Sequence, residues 1–570
     1  MSAIPGSLSS LVARRLRFVR HLGPGHRGPG STARARQPVG NPFLQPYALH
    51  RVLGMAMAGT GALEAKQNAR YHRLLARLGL LDRVPSEWEV DPVVAELPVI
   101  GSRPVPPSPE LPQGVEGPWP QAPVLHPDLY APVMNLAPNE EASHLHFNVL
   151  RYLGQSALTL PRAVRQALAR DRLGALDDAT FASILQDTTY GQYIRLGLDP
   201  QDVEAFRPVL TRDADWAKID FSIFEDMETI DPTLPQTGSV TLLERDSGGR
   251  FVPVAIRIGT EIIEPRHASA WEIARYLVLQ HAASQTTLIW HPRVHFPCDA
   301  VHAVTLSALP DGHPIKQLVL PHTPLTLGLH QAVIHNQRSV FHNNQRELFT
   351  PFAYTTEAIH AAAARARRGI AGNRGYPAYR WGQDHVDERL PYGRYRRGWA
   401  DAFYRLCEGV LADVSPLDGH VAAWADHIAA FVPGFPDGSS IFHGDNLVGA
   451  VSTWMRGVSA FHTADHHSFA QMPLTYVPFR VRTPMPRRGM GTVPRHRLLT
   501  CEDRLRHVLA HELFFRPVVV YRMADVRYDV LPGGPQRAVR RFWRNVRALD
   551  ERWAGQGFPT SREIGASIHY

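Results

Sequence analysis

The sequence predicts a mainly α protein built around one large helical domain with a few short β-strands. Three observations carry that expectation. Apolar residues recur at helical spacing through ALHRVLGMAMAGTGALEAKQNARYHRLLARLGLL, and again over most of the chain from about residue 140. Strand-like patterning is confined to a stretch around Val240–Ile258. Nothing in the first 135 residues alternates as a β-sandwich does, so no such domain is expected ahead of the helical one.

The segments follow in order. Residues 1–40 form a basic tail with seven arginines and no acid, rich in Gly and Pro after His21, and are expected to be disordered there. Within it, Leu8–Val19 has the makings of a short basic amphipathic helix for peripheral contact with an anionic membrane surface. The same composition suits an organellar transit peptide. Against that reading, arginine is favoured along the whole chain: only Lys66, Lys218 and Lys316 are lysines among 61 basic residues. Residues 41–135 read as a helical segment followed by a Pro-rich linker, and residues 136–570 as the main domain.

Charge and cysteine usage exclude several classes. The formal net charge is +8, but seven of those charges lie in the tail, so no nucleic-acid surface is expected in the body. No run of eighteen apolar residues suggests a membrane span. Three cysteines without a Cys-x-x-Cys fit a reducing, cytoplasmic setting.

Two histidine pairs carry the chemistry. His291 and His295 stand four residues apart, as do His462 and His466, and residues at that spacing share one helix face. With the main-chain carboxylate of the last residue, Tyr570, they make a donor set for a divalent or trivalent transition metal such as iron. HPRVH is no zinc-protease motif, because it lacks the glutamate that serves as base. A third pair, His507 and His511 in HVLAH, is read as a solvated helix face. Cys298, three residues after His295, is read as buried beside the site rather than as a ligand.

The spaced motifs around these histidines resemble the lipoxygenase family over roughly residues 140–570. Trp271 precedes Ala274-Arg275 and stands twenty residues before His291; His295 leads across seventeen residues to HPIKQLVLPHTPLTL, with His313, His322 and Thr326 in step. DGHVAAWADHI is similar to the family's Asp-Pro-Glu-Leu-Gln-Ala-Trp segment, and VSAFHTADHHSF to its Ser-Ala-x-His-Ala-Ala-Val-Asn-Phe helix. FVPVAIRIG resembles a family strand, and TSREIGASIHY the family's C-terminus.

The resemblance implies a lipoxygenase-like helical catalytic domain without the N-terminal β-sandwich (PLAT) domain of plant and animal members. It implies a non-heme iron site, with manganese in some members, whose ligands map onto His291, His295, His462, His466 and the Tyr570 carboxylate. The implied reaction inserts molecular oxygen into a polyunsaturated fatty acid or related lipid to give a hydroperoxide, with metal-bound hydroxide as the base. His313 and His322 would then pack and hydrogen-bond without binding metal. Around the substrate pocket, the family's two ligand-orienting glutamines map onto Thr287 and Phe469, a stereochemistry-setting residue onto Val333, and an arginine near Ile334.

The departures are specific. The family leaves one residue more between its first two iron histidines, on a helix with a π-type bulge. Here the ordinary α-helical spacing is expected to replace that bulge, with His291 in a first turn where Pro292 costs little. The lost glutamines and the altered pocket arginine favour a second reading, a lipoxygenase-fold metalloenzyme oxidising a non-fatty-acid substrate in secondary metabolism. A metal-free scaffold binding a lipid or partner is the third.

Overall fold

The computed structural model describes Arg165 and residues 173–568, leaving out 211–213, 296, 311, 324–325, 327–342, 344–349, 369–385, 433, 472–476 and 512–521. The basic tail, the helical segment at 46–82 and the Pro-rich linker therefore lie outside the described residues.

Helix α1 (Asp178–Asp187) begins where the Asp177 carboxylate accepts the Thr180 N–H, a side-chain cap on a free backbone donor. Strand β1 (Ile194–Leu196) follows, then α2 (Pro200–Ala205), which is opened by a reciprocal capping box between Asp199 and Asp202. Strands β2 (Trp216–Asp220), β3 (Val240–Arg245), β4 (Phe251–Ile258) and β5 (Glu261–Ile263) complete an antiparallel sheet whose spatial order equals its chain order. The strands expected around 240–258 are β3 and β4, paired from Val240↔Arg257 to Arg245↔Phe251 with a register shift between Leu242 and Leu243.

Helix α3 (Ala268–Gln285) runs through the middle of the molecule, buried on nearly every face from Ala270 to Gln285, as its mixed, weakly amphipathic sequence requires. It continues without a break into α4 (His291–His295). Then come α5 (Cys298–Ala308), α6 (Pro314–Val319), α7 (Thr356–Arg368), α8 (Pro391–Leu411), α9 (Gly419–Phe431) and α10 (Asn446–Arg456), which continues into α11 (His462–Gln471). Helices α12 (Cys501–Ala510) and α13 (Gly534–Trp553) close the fold. On α13 the buried residues are Ala538, Phe542, Val546, Leu549 and Trp553, a stripe at helical spacing that packs on α8.

Two large apolar clusters result. One gathers the sheet, α1 and α3 around Phe181, Phe221, Phe224 and Trp271; the other gathers α8–α10 and α13 around Trp399, Phe403, Trp424 and Phe542. Leu288 and Ile289, just before α4, belong to the first, while Val294 and Cys298 pack with the second. The helical rod bearing His291 and His295 thus lies along the seam between the two cores. No helix among the described residues is long and apolar enough to cross a membrane.

Candidate metal centre

Each histidine pair sits on a helix immediately after a π-helical turn. Thr286–Trp290 joins α3 to α4, and Gly457–Phe461 joins α10 to α11. The backbone N–H groups of His291 and His462 each reach five residues back, to Thr286 O and Gly457 O. Side-chain hydroxyls take up carbonyls at these turns: Thr286 Oγ1 donates to Ala282 O (2.9 Å), Thr287 Oγ1 to Ala283 O (2.8 Å) and Ser459 Oγ to Met455 O (2.6 Å). A π turn holds one residue more than an α turn, so everything after it faces a new direction.

This corrects the expectation that α-helical spacing at 291–295 replaces the bulge. The spacing between the two histidines is α-helical, yet a π turn stands directly upstream of them. His291 accordingly continues a rod rather than opening a first turn. Pro292, which cannot donate a backbone hydrogen bond, falls where the bonding pattern is already changing from five residues back to four.

The four imidazoles converge. His291 Nε2 lies 3.0 Å from His295 Nε2 and 2.9 Å from His466 Nε2, and His462 Nε2 lies 3.1 Å from His295 Nε2. His291 and His462 stack with centroids 4.5 Å apart, and the His462 and His466 rings lie 4.8 Å apart. His291, His462 and His466 are buried, while His295 is half-buried.

The donor set fits a metal ion. Each Nε2 offers either one hydrogen or one lone pair, and both His291 and His295 face two neighbours. No assignment of protons therefore gives each of the three close contacts its own hydrogen bond. A cation between His291, His295 and His462 would use their lone pairs together, with His466 beside it through His291. Nitrogen ligands at about 2.0–2.1 Å from an ion stand roughly 2.8–3.0 Å apart when they meet at right angles. The separations of 2.9–3.1 Å match adjacent corners of such a site. His291, His295 and His462 each place a donor nitrogen within 4.8 Å of the others, and His466 joins them through its contact with His291.

One neighbour was not singled out by sequence reasoning. Asp465, buried between His462 and His466 on α11, faces the outer edge of the His291 ring, with Oδ2 3.4 Å from Nδ1. The only signal available was an acid inside FHTADHH.

The remaining expected residues fall as follows. His322 is buried and bridges two parts of the chain: Nδ1 donates to Ala566 O (2.7 Å) and Nε2 accepts from the Tyr528 hydroxyl (2.8 Å). His313 caps α6 by accepting the Ile315 N–H at 3.2 Å. Cys298 is buried, its thiol donating to Val294 O at 3.1 Å. Thr287 is buried with its hydroxyl turned back to the helix. Phe469 lies on α11, its side chain outside the description; Val333, Ile334 and Tyr570 lie outside the described residues altogether. The solvated reading of HVLAH is corrected in part for His507, which is half-buried with its ring 4.8 Å from that of Phe479. Desolvation there, with His511 nearby, lowers its pKa.

No protein-family model matches the sequence, and no curated protein matches it. Solved structures do. A calcium-dependent 11R-lipoxygenase matches 78% of this chain and 77% of its own, with a TM-score of 0.60 at 14% identity. The manganese lipoxygenase of Gaeumannomyces graminis matches 77% of this chain and 94% of its own, with a TM-score of 0.52 at 14% identity. A LOX deletion variant solved anaerobically in complex with arachidonate matches 73% and 75%, with a TM-score of 0.55 at 13% identity. With the helical body, the five-stranded sheet and the paired histidine helices, these likenesses show that the chain has a lipoxygenase-like fold.

Proposed function

We propose that this protein is a non-heme metal dioxygenase of the lipoxygenase type, which inserts molecular oxygen into a polyunsaturated fatty acid or related lipid to form a hydroperoxide. The observation that carries this reading is the run of three Nε2–Nε2 contacts of 2.9–3.1 Å that links four imidazoles from two helices of a lipoxygenase-like fold. His291, His295, His462 and His466 would hold iron or manganese. When bound, that metal supplies the one-electron redox chemistry and the base that a carbon–hydrogen bond requires. The chain supplies the rest. Two π turns aim the ligands, and buried apolar residues such as Leu288, Ile289, Phe461 and Ala464 keep bulk water from the imidazoles. The LOX variant in complex with arachidonate supports the substrate class. A cytoplasmic setting, with membrane contact through Leu8–Val19, belongs to the same proposal.

A second reading, oxidation of a non-fatty-acid substrate, is favoured by Thr287. Its hydroxyl is spent on Ala283 O at the place where the family has a ligand-orienting glutamine. Metal analysis of purified protein, followed by a conjugated-diene absorbance assay with linoleate, decides among the readings. Bound iron or manganese with diene formation is the expected result; bound metal without it would favour the second reading. Metal-free protein that cannot be loaded would overturn both and leave the scaffold.

The Tyr570 carboxylate is proposed as a fifth donor. In its support, the chain just before it is buried and anchored: Gly565 N–H donates to Thr463 Oγ1 (3.1 Å), one residue from His462, and Ser567 and Ile568 are buried. Tyr570→Ile should keep metal and activity, because the main-chain oxygens do the binding. Appending a C-terminal tag moves the carboxylate by at least about 3.3–3.6 Å, one extended residue, which is more than a ligand position tolerates. Metal content and oxygenation should fall together; equal values in tagged and untagged protein would reject this donor.

A further inference from the structure

We infer that Asp465 is a positioning residue for the metal centre: it orients His291 by accepting its Nδ1–H and supplies the buried negative charge that a metal-bound imidazole favours. The inference rests on the four-histidine reading above. Three observations carry it beyond that reading.

The first is geometry. Asp465 Oδ2 lies 3.4 Å from His291 Nδ1, while His291 Nε2, on the opposite edge of the ring, faces His295 and His466. A proton held on Nδ1 by the carboxylate leaves the Nε2 lone pair aimed at the shared point. Metal-bound histidines commonly donate their second ring N–H to a carboxylate in this way, which fixes the tautomer and raises ligand basicity.

The second is burial. Asp465 is 5% exposed, and among the described residues His291 is its one hydrogen-bonding and ion-pairing partner; Oδ1 has none. A buried carboxyl group needs a partner, and among the described residues the edge of the His291 ring is the one provided. A cation on the opposite ring nitrogen makes Nδ1–H a stronger donor, so a buried acid at this edge suits a metal-binding ring.

The third is position. Asp465 precedes His466 directly and follows His462 by three residues, so the helix that carries two of the imidazoles also carries the carboxylate that orients a third. Where this chain has Asp465, the similar family segment has valine. The two family glutamines that orient ligands are meanwhile replaced by Thr287 and Phe469. With the Thr287 hydroxyl committed to Ala283 O, the orienting role falls to an acid on the opposite helix.

The test is Mn(II) titration of metal-stripped full-length protein, with the free ion followed by electron paramagnetic resonance. The variants are Asp465→Asn, nearly the same shape without the charge, and Asp465→Val. Wild-type protein should bind. Both variants should bind about 10–100-fold more weakly, the range seen when such orienting partners are lost. The resonance of bound Mn(II) should change line shape in the variants, because a freed His291 ring alters the ligand field. Metal-free melting temperatures should stay within about 2 °C of wild type, since an exchange that removes an uncompensated buried charge costs little without the metal. Unchanged affinity and line shape in Asp465→Asn would overturn the inference and leave the metal site standing. A fall in metal-free stability large enough to account for the lost affinity would reduce Asp465 to a structural residue and overturn it as well. Failure of the wild type to bind Mn(II) or Fe(II) would overturn the four-histidine reading itself, and the inference with it.

Discussion

His462→Ala protein is expected to purify without metal and without oxygenase activity, while His467→Ala protein, altered at the imidazole beside His466 but on another helix face, should keep both. His462 is fully buried, and its Nε2 lies 3.1 Å from that of His295. Its loss removes one of four nitrogen donors and leaves a void in the ion's coordination shell that no described neighbour fills. Losing an outer partner of a metal ligand already costs about 10–100-fold in affinity or activity, so losing the ligand should cost at least that much. His467 is half-buried, and burial lowers its pKa, but its ring is not among the four that converge. Metal content by elemental analysis and turnover by diene formation check both variants. A His462→Ala protein retaining full metal content would remove His462 from the site.

The second large effect is acid sensitivity. His281, His302 and His322 are each fully buried, and burial pushes their pKa values down to about 3, about 3 and about 4. Their surroundings explain why. His281 stacks on Phe224 at 4.9 Å with Nδ1 bonded to Ser239 Oγ at 2.9 Å, and His302 Nδ1 donates to Thr326 Oγ1 at 2.7 Å. The Nε2 of His302 has no hydrogen-bond partner among the described residues, so a proton added there would be buried without an acceptor. In the unfolded chain all three titrate near pH 6.5. Their contribution is therefore fully present above that value and is lost as pH falls from 6.5 toward the folded values. The slope should be about 1.4 kcal/mol per pH unit per histidine. At pH 5 the three together cost roughly 6 kcal/mol, against a typical total stability of about 5–15 kcal/mol. Urea-unfolding free energies should fall steeply between pH 6.5 and pH 5. In His302→Gln, which keeps a donor for Thr326, the slope should be shallower by about 1.4 kcal/mol per pH unit. Parallel slopes for the two proteins would remove His302 from the account.

The legibility of the chain differed from element to element for physical reasons. The mainly helical body from about residue 140 and the strands around 240–258 carried enough of their pattern in the sequence to be expected there. The histidine pairs were legible because a four-residue spacing survives translation into a helix face. The π turns were not. They shift the helical period by a single residue, and their only marks are hydroxyls such as Thr286, Thr287 and Ser459 that also occur in ordinary helices. Asp465 was illegible for a related reason: an acid beside histidines on a helix usually faces solvent, and only the approach of α4 from across the seam makes it a buried neighbour of His291. His507 misled in part because helix position says nothing about what packs on that face, here Phe479.

The two π turns have a consequence for how this protein tolerates mutation. Each turn carries one residue beyond the ordinary winding, so the histidines after it point where they do only while the π bonding holds. Winding the same residues as a plain α-helix would swing the following histidines by about 100° around the axis. Both imidazoles of that pair would leave the seam together, with every side chain still of the right kind. A change that favours plain α winding at these ten positions therefore acts on the direction of the pair, whereas a one-residue deletion that closes the turn as an α turn leaves that direction nearly unchanged. The one-residue shortening between His291 and His295, relative to the lipoxygenase pattern, is accommodated because the spare residue is kept one turn upstream rather than lost.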